Sequence, residues 1–308
     1  MEPERFALSV ARAVREAVLP MFGRPEARRR AGTAAGGDPT FAIDEVAELA
    51  AEKLFEERGD LAYFTEDAGL RVVGSPEALF LVDPVDGTRP AVAGFETCCV
   101  TVAVAPFGEG LSIADLAYGC VVEIATGTVF EARRGGGARA DGAELRPSEA
   151  TGLRGMLWAG GFRGQPAVPT AAALEEAFDA PGAEGAFFDQ GSAAYSLTRI
   201  ATGQLDAYLD VGQALVEEVP GMEARFREVG GGHVLNTTTY DTAAGYLLLE
   251  EMGLPVTDAR GAPVGEVPLF EADGRATLVS TVAACTPELH ETLLALVGRG
   301  IDRLRSEA

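Results

Sequence analysis

The stretch 79–89 reads LFLVDPVDGTR and joins a short apolar run to two aspartates, a proline and a Gly-Thr pair. A continuous apolar run is typical of a buried strand, and the Pro84 and Gly87 that follow predict where the strand ends. We therefore expect Asp83 and Asp86 at the end of a strand. Open α/β sheets bind ligands at the carboxyl ends of their strands, so this stretch constrains both the fold and the place of a site.

Two interpretations of these aspartates are open from the stretch alone. Two close carboxylates repel each other and are costly to desolvate, and a bound cation would relieve both penalties. Gly87 and Thr88 add backbone amides and a hydroxyl that can approach an anion, which suggests a metal on one side and a phosphate on the other. In the alternative, the Asp-Pro and Asp-Gly pairs only form a turn that closes the strand.

Composition limits the class of protein. The chain has 308 residues, of which 47% are hydrophobic, as is typical of a globular protein with a full core. No run approaches the ~18 apolar residues of a membrane span, and no secretory leader is visible, so we expect a cytoplasmic protein with no membrane partner. The net charge of −22 argues against a nucleic-acid partner, because that affinity depends on neutralising phosphates. A small phosphate ester held through metal ions is compatible with this charge.

The cysteines do not form a metal-binding pattern. Cys98, Cys99, Cys120 and Cys285 lack paired spacing, and the chain has only two histidines. A structural zinc site is therefore not expected, and the thiols are predicted to be reduced and mostly buried.

Hydrophobic periodicity predicts strands that alternate with helices. Helices are predicted at 6–21, 43–54, 192–202, 240–251 and 287–303, and strands at 61–64, 79–82, 98–105, 111–124, 128–132, 156–159, 205–209 and 278–283. Segment 24–37 is interpreted as a solvated loop, with a phosphate-sensing flap as the alternative, and 217–236 as an inserted loop with some helix. The alternation indicates an α/β or α+β fold with layered sheets.

Four stretches follow one another along the chain: FTEDAG at 64–69, DPVDGT at 83–88, RRGGGARADG at 133–142 and YDTAAG at 240–245. Their content and order resemble the inositol monophosphatase family, the lithium-sensitive, magnesium-dependent phosphatases. The resemblance covers essentially the whole chain, and several segments are closest to the prokaryotic branch that includes archaeal dual inositol monophosphatase and fructose-bisphosphatase enzymes. It implies an alternating α-β-α-β-α sandwich of the sugar phosphatase type and, commonly, a homodimer.

The resemblance also implies roles for the residues that match the family motifs. Two or three Mg²⁺ ions would be held by Glu66, Asp83, Asp86 and Asp241 together with the main-chain carbonyl of Val85. The implied catalytic residues are Asp44, Thr88 and Glu66, of which Asp44 and Thr88 orient the attacking water. The implied substrate contacts are Gly87 and Thr88 for the phosphate, and Gly191, Ser192 and Asp210 on the substrate side.

A shift of composition toward Gly, Ala and Pro near Thr151 predicts a domain boundary. We expect an N-terminal α+β domain at 1–150, which carries the DPVDGT metal and phosphate site. A C-terminal α/β domain at 151–308 would supply Asp241 and the substrate-side loops.

The implied activity is a Mg²⁺-dependent phosphomonoesterase that hydrolyses a small polyol or sugar phosphate, first of all inositol 1-phosphate, by metal-activated water attack. Alternatives within this class are a fructose-1,6-bisphosphatase and a 3′-phosphonucleotide phosphatase. An alternative of another class is a non-catalytic protein that keeps the fold for binding or regulation. The loss of a metal carboxylate would favour that alternative, and none is lost.

The chain departs from the family pattern at several positions. Arg89 and Pro90 stand where the family often has a small polar residue and an asparagine, and segment 213–239 is much longer than in the archaeal dual enzymes. We expect substrate selection to depend on these two places.

The positions of the arginines affect whether the chain could bind the second phosphate of a bisphosphate. Gln190 and Gly212 occupy positions where the archaeal dual enzymes resemble each other in having arginine, and a bisphosphate would need such cations. Fructose 1,6-bisphosphate is therefore a weaker expectation than a monophosphate, although Arg225 or Arg227 could substitute.

Overall fold

The computed structural model describes residues 1–34 and 36–308. The helices are α1 Pro3–Val18, α2 Ala42–Arg58, α3 Thr88–Ala93, α4 Ala167–Ala173, α5 Glu175–Asp179, α6 Ala193–Ala201, α7 Gly212–Glu218, α8 Met222–Val229, α9 Thr239–Glu251 and α10 Pro287–Glu307. The strands are β1 Arg30–Thr33, β2 Pro39–Phe41, β3 Leu61–Thr65, β4 Gly69–Val73, β5 Ala78–Asp86, β6 Cys99–Pro106, β7 Tyr118–Glu123, β8 Val129–Arg133, β9 Gly137–Ala140, β10 Ala143–Glu144, β11 Leu157–Gly160, β12 Ala186–Phe188, β13 Ala207–Asp210, β14 Val256–Thr257 and β15 Thr281–Ala284.

Two sheets alternate with layers of helices. The first sheet has the order β10-β9-β8-β7-β6-β5-β3-β4, in which β3 and β5 run parallel and the other neighbours are antiparallel. The second has the order β12-β11-β13-β15-β14, with β11 parallel to both of its neighbours. Helices α1 and α2 pack on one face of the first sheet, α6 and α9 lie between the sheets, and α10 packs on the second sheet with α4 beside it. The predicted layered sandwich is confirmed.

Strand β5 is buried along its whole length because both of its faces are covered. Phe80 and Val82 belong to the core shared with α1 and α2, whereas Leu79 and Leu81 belong to the core shared with α6 and α9. Successive side chains of a strand point to opposite faces, so a strand between two layers needs apolar residues at every position. The run that predicted a buried strand therefore lies at the centre of the molecule, and its end lies between the two cores.

Helix α1 shows how the outer layer is attached. Phe6, Val10, Val14 and Val18 recur at helical spacing and are buried. A proline at the first position suits the start of a helix, because the amide that it lacks would have no partner inside the helix. The helix packs against α2 and against β6 and β7.

The loop interpretation of 24–37 is wrong in part. The segment contains a 3-10 turn at Pro25–Arg28 and strand β1, which pairs with β2 in an antiparallel ladder. The arginines and small residues of this segment are typical of a loop, but the backbone pairing with β2 makes part of it a strand. Ala35 falls in the same segment and lies outside the described residues.

The boundary of one predicted strand differs from the structure, and the helix expected in the inserted segment is present. The strand expected at 111–124 begins only at Tyr118, because Ser112 starts a 3-10 turn in which its backbone N–H and its hydroxyl donate to Asp115. Segment 217–236, predicted to be an inserted loop with some helix, contains α8, in which Met222 and Phe226 are buried one turn apart.

Several global expectations can be compared with the structure. The four cysteines are buried free thiols, as predicted. In the described part of the chain, none of the helices is long and apolar enough to cross a bilayer. The larger core joins residues from both sides of residue 150, such as Leu81, Val121 and Leu247. The division into two domains stays a prediction.

Candidate active site

The end of β5 brings Asp83 and Asp86 together. The pairing of β5 with β6 is regular up to Asp83 and shifts between Asp83 and Asp86. Such an irregularity bends a strand and redirects its side chains. The backbone N–H of Val85 donates to Oδ1 of Asp83 at 2.9 Å, which fixes the bend from within the motif.

Asp241 reaches the same place from the start of α9. It is the third residue of the helix, and its Oδ2 accepts from the backbone N–H of Thr238 at 2.6 Å and from the Thr238 hydroxyl at 3.0 Å. A carboxylate in the first turn is stabilised by the helix dipole and by these capping bonds. Oxygens of Asp83, Asp86 and Asp241 lie within 4.8 Å of one another.

This group of three carboxylates carries more negative charge than a buried site tolerates. Asp83, Asp86 and Asp241 are all buried. Burial, and next the charge of Asp241, raises the pKa of Asp86 to about 7. The same causes raise the pKa of Asp83 well above its usual value, and burial raises that of Asp241. A divalent cation would remove this penalty, and hard oxygen donors fit magnesium, calcium or manganese.

Glu66 follows β3 and lines the same small cavity of about 30 Å³ as Asp83 and Asp241. Burial is the main cause that raises the pKa of Glu66, and the charge of Asp38 adds to it. The main-chain carbonyl of Val85, the fifth predicted metal ligand, accepts from the Thr88 hydroxyl at 3.2 Å. The structure thus brings all the predicted metal ligands to one cavity, and their roles stay predictions.

A glutamate that the sequence reasoning missed shapes the turn around Glu66. Glu48, on α2, accepts hydrogen bonds from the Thr65 hydroxyl and from the backbone N–H of Ala68, the latter at 3.1 Å. Burial raises the pKa of Glu48 to about 7. Its position one helical turn after Asp44 was a signal that could have placed both carboxylates on the same face of the helix.

Asp44 and Thr88 are in direct contact, as their predicted joint role requires. The Thr88 hydroxyl donates to Oδ1 of Asp44 at 2.9 Å, and the backbone N–H of Phe41 donates to its Oδ2 at 2.8 Å. Burial raises the pKa of Asp44 to about 6. Gly87 has a φ of 91°, and a Cβ there would lie 2.7 Å from the carbonyl oxygen of Thr97, so only glycine fits.

Ser192 and Asp210 lie on the other side of the carboxylates. The Ser192 hydroxyl donates to Oδ2 of Asp86 at 2.5 Å, and the backbone N–H of Ala194 donates to the same oxygen at 2.8 Å. Asp210 is fully buried and accepts three bonds, from the Gln165 side chain, from the Gly212 N–H and from the Thr237 hydroxyl.

A cleft of about 40 Å³ is lined by Gly191, Ser192, Asp210, Asp86 and Asp241 among others. The predicted substrate-side residues are therefore close to the carboxylates. Asp210 is held by bonds within the protein, and its contact with a substrate stays a prediction.

Three charged residues form an ion-pair chain across the mouth of the site. Asp38 accepts from Arg89 at 3.0 Å and also from Arg163. Burial alone would raise the pKa of Asp38, but the two guanidinium groups, Arg163 first, outweigh it and lower the pKa. Sequence reasoning missed Asp38 and Arg163, although the position of Arg163 just after β11, at a strand end, was a usable signal.

Comparison with known proteins agrees with this geometry. The model of the inositol monophosphatase family matches residues 2–301. A fructose-1,6-bisphosphatase/inositol-1-monophosphatase of Methanothermobacter thermautotrophicus is 28% identical over 301 residues, which are 94% of each chain. A bifunctional NADP phosphatase/NAD kinase of Methanococcus maripaludis is 25% identical over 314 residues, which are 97% of this chain and 50% of that protein.

Solved structures show the same fold. The inositol monophosphatase from Anabaena (Nostoc) sp. PCC 7120 superposes with a TM-score of 0.68 at 18% identity and covers 96% of this chain and 95% of that one. The Thermotoga maritima IMPase gives a TM-score of 0.70 at 19% identity and covers 99% of this chain and 100% of that one. With a family match over almost its whole length, the chain belongs to the inositol monophosphatase family and is a phosphoric monoester hydrolase.

Proposed function

We propose that this protein is a Mg²⁺-dependent phosphomonoesterase that acts on a small phosphorylated polyol or sugar, with inositol 1-phosphate as the first substrate to test. One observation carries the proposal. Three buried carboxylates lie within 4.8 Å of one another beside Gly87 and Thr88, an arrangement that needs cations to be stable at neutral pH.

The donor set fits hard divalent ions. Asp83, Asp86, Asp241, Glu66 and the carbonyl of Val85 would hold two or three Mg²⁺ ions. Ions held by these residues would supply a lowered pKa for a bound water and positive charge beside the phosphate.

The other groups of the site bind and orient. The Thr88 hydroxyl donates to Asp44, so its oxygen would accept a hydrogen bond from the attacking water and position it. The backbone amides of Gly87 and Thr88 would face the phosphate oxygens. Ser192 keeps Asp86 in place through its hydroxyl. Asp44 accepts one bond at each carboxylate oxygen, which fixes the Thr88 hydroxyl and leaves lone pairs free to accept from a water.

The nature of the alcohol is proposed from the surroundings of the carboxylates. Gly191, Ser192 and Asp210 line a small polar cleft that suits sugar hydroxyls. Arg225 and Arg227 pair with glutamates on α8, and neither lines this cleft or the cavity at Glu66. A bisphosphate such as fructose 1,6-bisphosphate is therefore less well supported. A cytoplasmic location, a homodimer, lithium sensitivity and the absence of nucleic-acid and membrane partners complete the proposal.

The test is phosphate release from inositol 1-phosphate, fructose 1,6-bisphosphate and adenosine 3′,5′-bisphosphate, measured side by side with Mg²⁺, with Mg²⁺ and Li⁺, and with a chelator. We expect release that requires Mg²⁺ and is reduced by Li⁺, with inositol 1-phosphate favoured over fructose 1,6-bisphosphate. If no ester in a broad panel is hydrolysed, the non-catalytic alternative gains and this proposal fails.

A further inference from the structure

Two arginines border the small cavity at the carboxylates. Arg89 and Arg163 both line the cavity of about 30 Å³ that contains the three aspartates from the end of β5 and the start of α9. They are the only cationic side chains among the described residues that line it. Neither takes part in the mechanism proposed for the carboxylates, Asp44 and Thr88.

The two guanidinium groups come from different elements and meet at one carboxylate. Arg89 is the second residue of α3, Arg163 follows β11, and Asp38 precedes β2. Nη2 of Arg89 donates to Oδ1 of Asp38 at 3.0 Å, and Nη1 of Arg163 donates to Oδ2 of the same carboxylate. Asp38 therefore holds the two groups next to each other, one at each oxygen.

Most of the hydrogen-bond donors of these arginines have no partner within the protein. A guanidinium carries several N–H donors in a planar fork, and each of the two groups gives one bond to Asp38. In the part of the chain that the structure describes, neither group has another hydrogen-bond acceptor. The side chains of Arg89 and Arg163 are 40% and 36% exposed, so the remaining N–H groups are accessible to a ligand.

The ion-pair chain has an excess of positive charge, since two guanidinium groups share the single carboxylate of Asp38. Burial alone would lower the pKa of Arg163, but nearby carboxylates, Asp38 first and then Glu66, outweigh it and raise the pKa. With the charges of the metal-binding carboxylates offset by cations, the excess at the mouth would attract an anion. This attraction matters because the protein as a whole, with a net charge of −22, repels a phosphate ester.

The proposed position of the phosphate lies beside both arginines. Gly87 and Thr88, whose amides would face the phosphate oxygens, line the same cavity as Arg89 and Arg163. A guanidinium fork matches the spacing of phosphate oxygens and can donate two parallel N–H bonds to them. Arg89 stands where the family often has a small polar residue, so a contact from Arg89 would be particular to this chain.

We propose that Arg89 and Arg163 bind the non-bridging oxygens of the transferring phosphate and act as further catalytic residues. In the reaction a water oxygen bonds to phosphorus, and the bond from phosphorus to the ester oxygen breaks with its electron pair on that oxygen, which takes up a proton. The guanidinium groups donate hydrogen bonds to the other oxygens, over which charge spreads in the transition state, and transfer no proton. Asp38 is a positioning residue for both groups. This inference rests on the proposed phosphatase function.

Single substitutions of the arginines test the inference on the full chain with Mg²⁺ and inositol 1-phosphate, or with another monophosphate of the panel if that is hydrolysed faster. Arg89→Gln and Arg163→Gln should each lower kcat/KM by about 10²-fold, mainly through kcat, as expected when a donor to transition-state charge is lost. The Ki of inorganic phosphate as a competitive inhibitor should rise about tenfold. Arg154→Gln is the matched control, because Arg154 pairs with Glu184 on the surface and does not line the cavity.

Two further measurements separate phosphate binding from other effects of the lost charge. Arg163→Lys keeps the charge but not the planar fork, and should recover only part of kcat. The Mg²⁺ affinity of Arg163→Gln, measured by calorimetry, should not fall, because a positive charge near Glu66 is removed. A weaker Mg²⁺ affinity that accounts for the loss of activity would place Arg163 in support of the metal ligands and would overturn the inference.

A purely structural role of the ion pairs makes the opposite prediction for Asp38→Asn. This variant weakens both ion pairs and keeps both cations. If the arginines bind phosphate, the Ki of inorganic phosphate should not rise, because a negative charge is removed from the mouth. If the ion pairs only fix the β1–β2 hairpin, Asp38→Asn should raise this Ki as much as the arginine variants do. Thermal unfolding of all variants shows which of them remain folded.

The remaining outcomes are also decisive. An unchanged kcat/KM and phosphate Ki in both Arg89→Gln and Arg163→Gln would overturn the inference and leave the phosphatase function in place. A loss confined to bisphosphates, with monophosphates hydrolysed as by the wild type, would place the guanidinium groups at a second phosphate and would overturn it as well. If the wild type releases no phosphate from any ester, the proposed phosphatase function itself is refuted.

Discussion

The end of β5 and the wall of a neighbouring cavity of about 480 Å³, which shares Asp38, Glu66 and Arg163 with the small cavity at the carboxylates, are built in different ways. Residues 83–88 form one continuous motif with its own short-range bonds, from Val85 to Asp83 and from Thr88 to Val85. Distant residues add further bonds, such as those from Ser192 and Ala194 to Asp86. The cavity wall combines Phe64, residues 234–236, Tyr240, Ala276 and Leu278, which meet only in the folded chain. The difference indicates that half of the metal site is encoded in one local motif, whereas the cavity where segment 213–239 is expected to select the substrate depends on tertiary packing. Variants in the first region should therefore change kcat, and variants in the second should change KM.

The strongest test of this contrast is Asp83→Asn. The change removes one charge from the group of three carboxylates and should lower kcat by at least about 10³-fold, because the ions would lose a ligand that sets their charge and geometry. The metal-free variant should be no less stable than the wild type, since a buried repulsion is removed. Steady-state kinetics and thermal unfolding measure both effects. A kcat close to the wild-type value would show that catalysis does not need Asp83, and would contradict the placement of the active site at the end of β5.

The contrast also explains what the sequence could predict. DPVDGT and the aspartate at the start of α9 are local patterns, and their residues do lie together in the structure. Glu48 and Arg163 belong to no such motif, because their partners Ala68 and Asp38 are far away along the chain, and only their positions on a helix face and after a strand pointed to them. The layered fold could be predicted, because strand and helix patterns alternate along the sequence.

The failures have the same physical cause. Strand β1 forms because β2 is available to pair with it, and neither its arginine nor its glycine indicates a strand. The bounds of α8 were not predicted within the inserted segment, because this short helix depends on burying Phe226. Tertiary contacts decide whether such short elements form and where they begin and end.

The second test is the dependence of stability on pH. The pKa of Asp86 is raised to about 7 and that of Asp44 to about 6 in the folded, metal-free protein, whereas both are near 4 when unfolded. Between about pH 4 and pH 7 the unfolded state therefore binds fewer protons than the folded state, and these groups make the metal-free protein less stable as the pH rises.

Mg²⁺ should reverse this trend. Cation binding favours the ionised carboxylates, so the rise in Tm on adding Mg²⁺ should grow from pH 5 to pH 8, by about 5 °C. Thermal unfolding of the chelator-treated protein at several pH values, with and without Mg²⁺, measures it. Asp83→Asn is the matched comparison and should show a smaller increase. A Mg²⁺ effect that does not depend on pH would contradict the assignment of these carboxylates as ligands.

A smaller effect is expected for Thr88→Ala, which removes the hydroxyl held by Asp44. If this hydroxyl orients the attacking water, kcat should fall by about 10²-fold while KM changes little. Thr97→Ala is a nearby control, since the Thr97 hydroxyl donates to the carbonyl of Gln190 and touches none of the carboxylates. If Thr88→Ala raises KM and leaves kcat unchanged, Thr88 acts in substrate binding alone.

The smallest effect tests Glu48, a residue outside both regions that supports the first. Glu48→Ala removes the acceptor for Thr65 and Ala68 and should loosen the turn that carries Glu66. Losses of this kind around metal ligands cost about tenfold in metal affinity, so the Mg²⁺ concentration for half-maximal binding should rise about tenfold. Direct titration by calorimetry measures it without relying on turnover.

Glu48→Gln keeps a carbonyl oxygen in the same position and should recover most of the affinity, whereas Glu56→Gln, on the exposed face of α2, should behave like the wild type. A purely structural role would lower Tm in Glu48→Ala and leave the Mg²⁺ titration unchanged. A shifted titration that glutamine restores would instead show that Glu48 positions Glu66, and that metal affinity depends on a contact between α2 and the turn after β3 as well as on the motif at the end of β5.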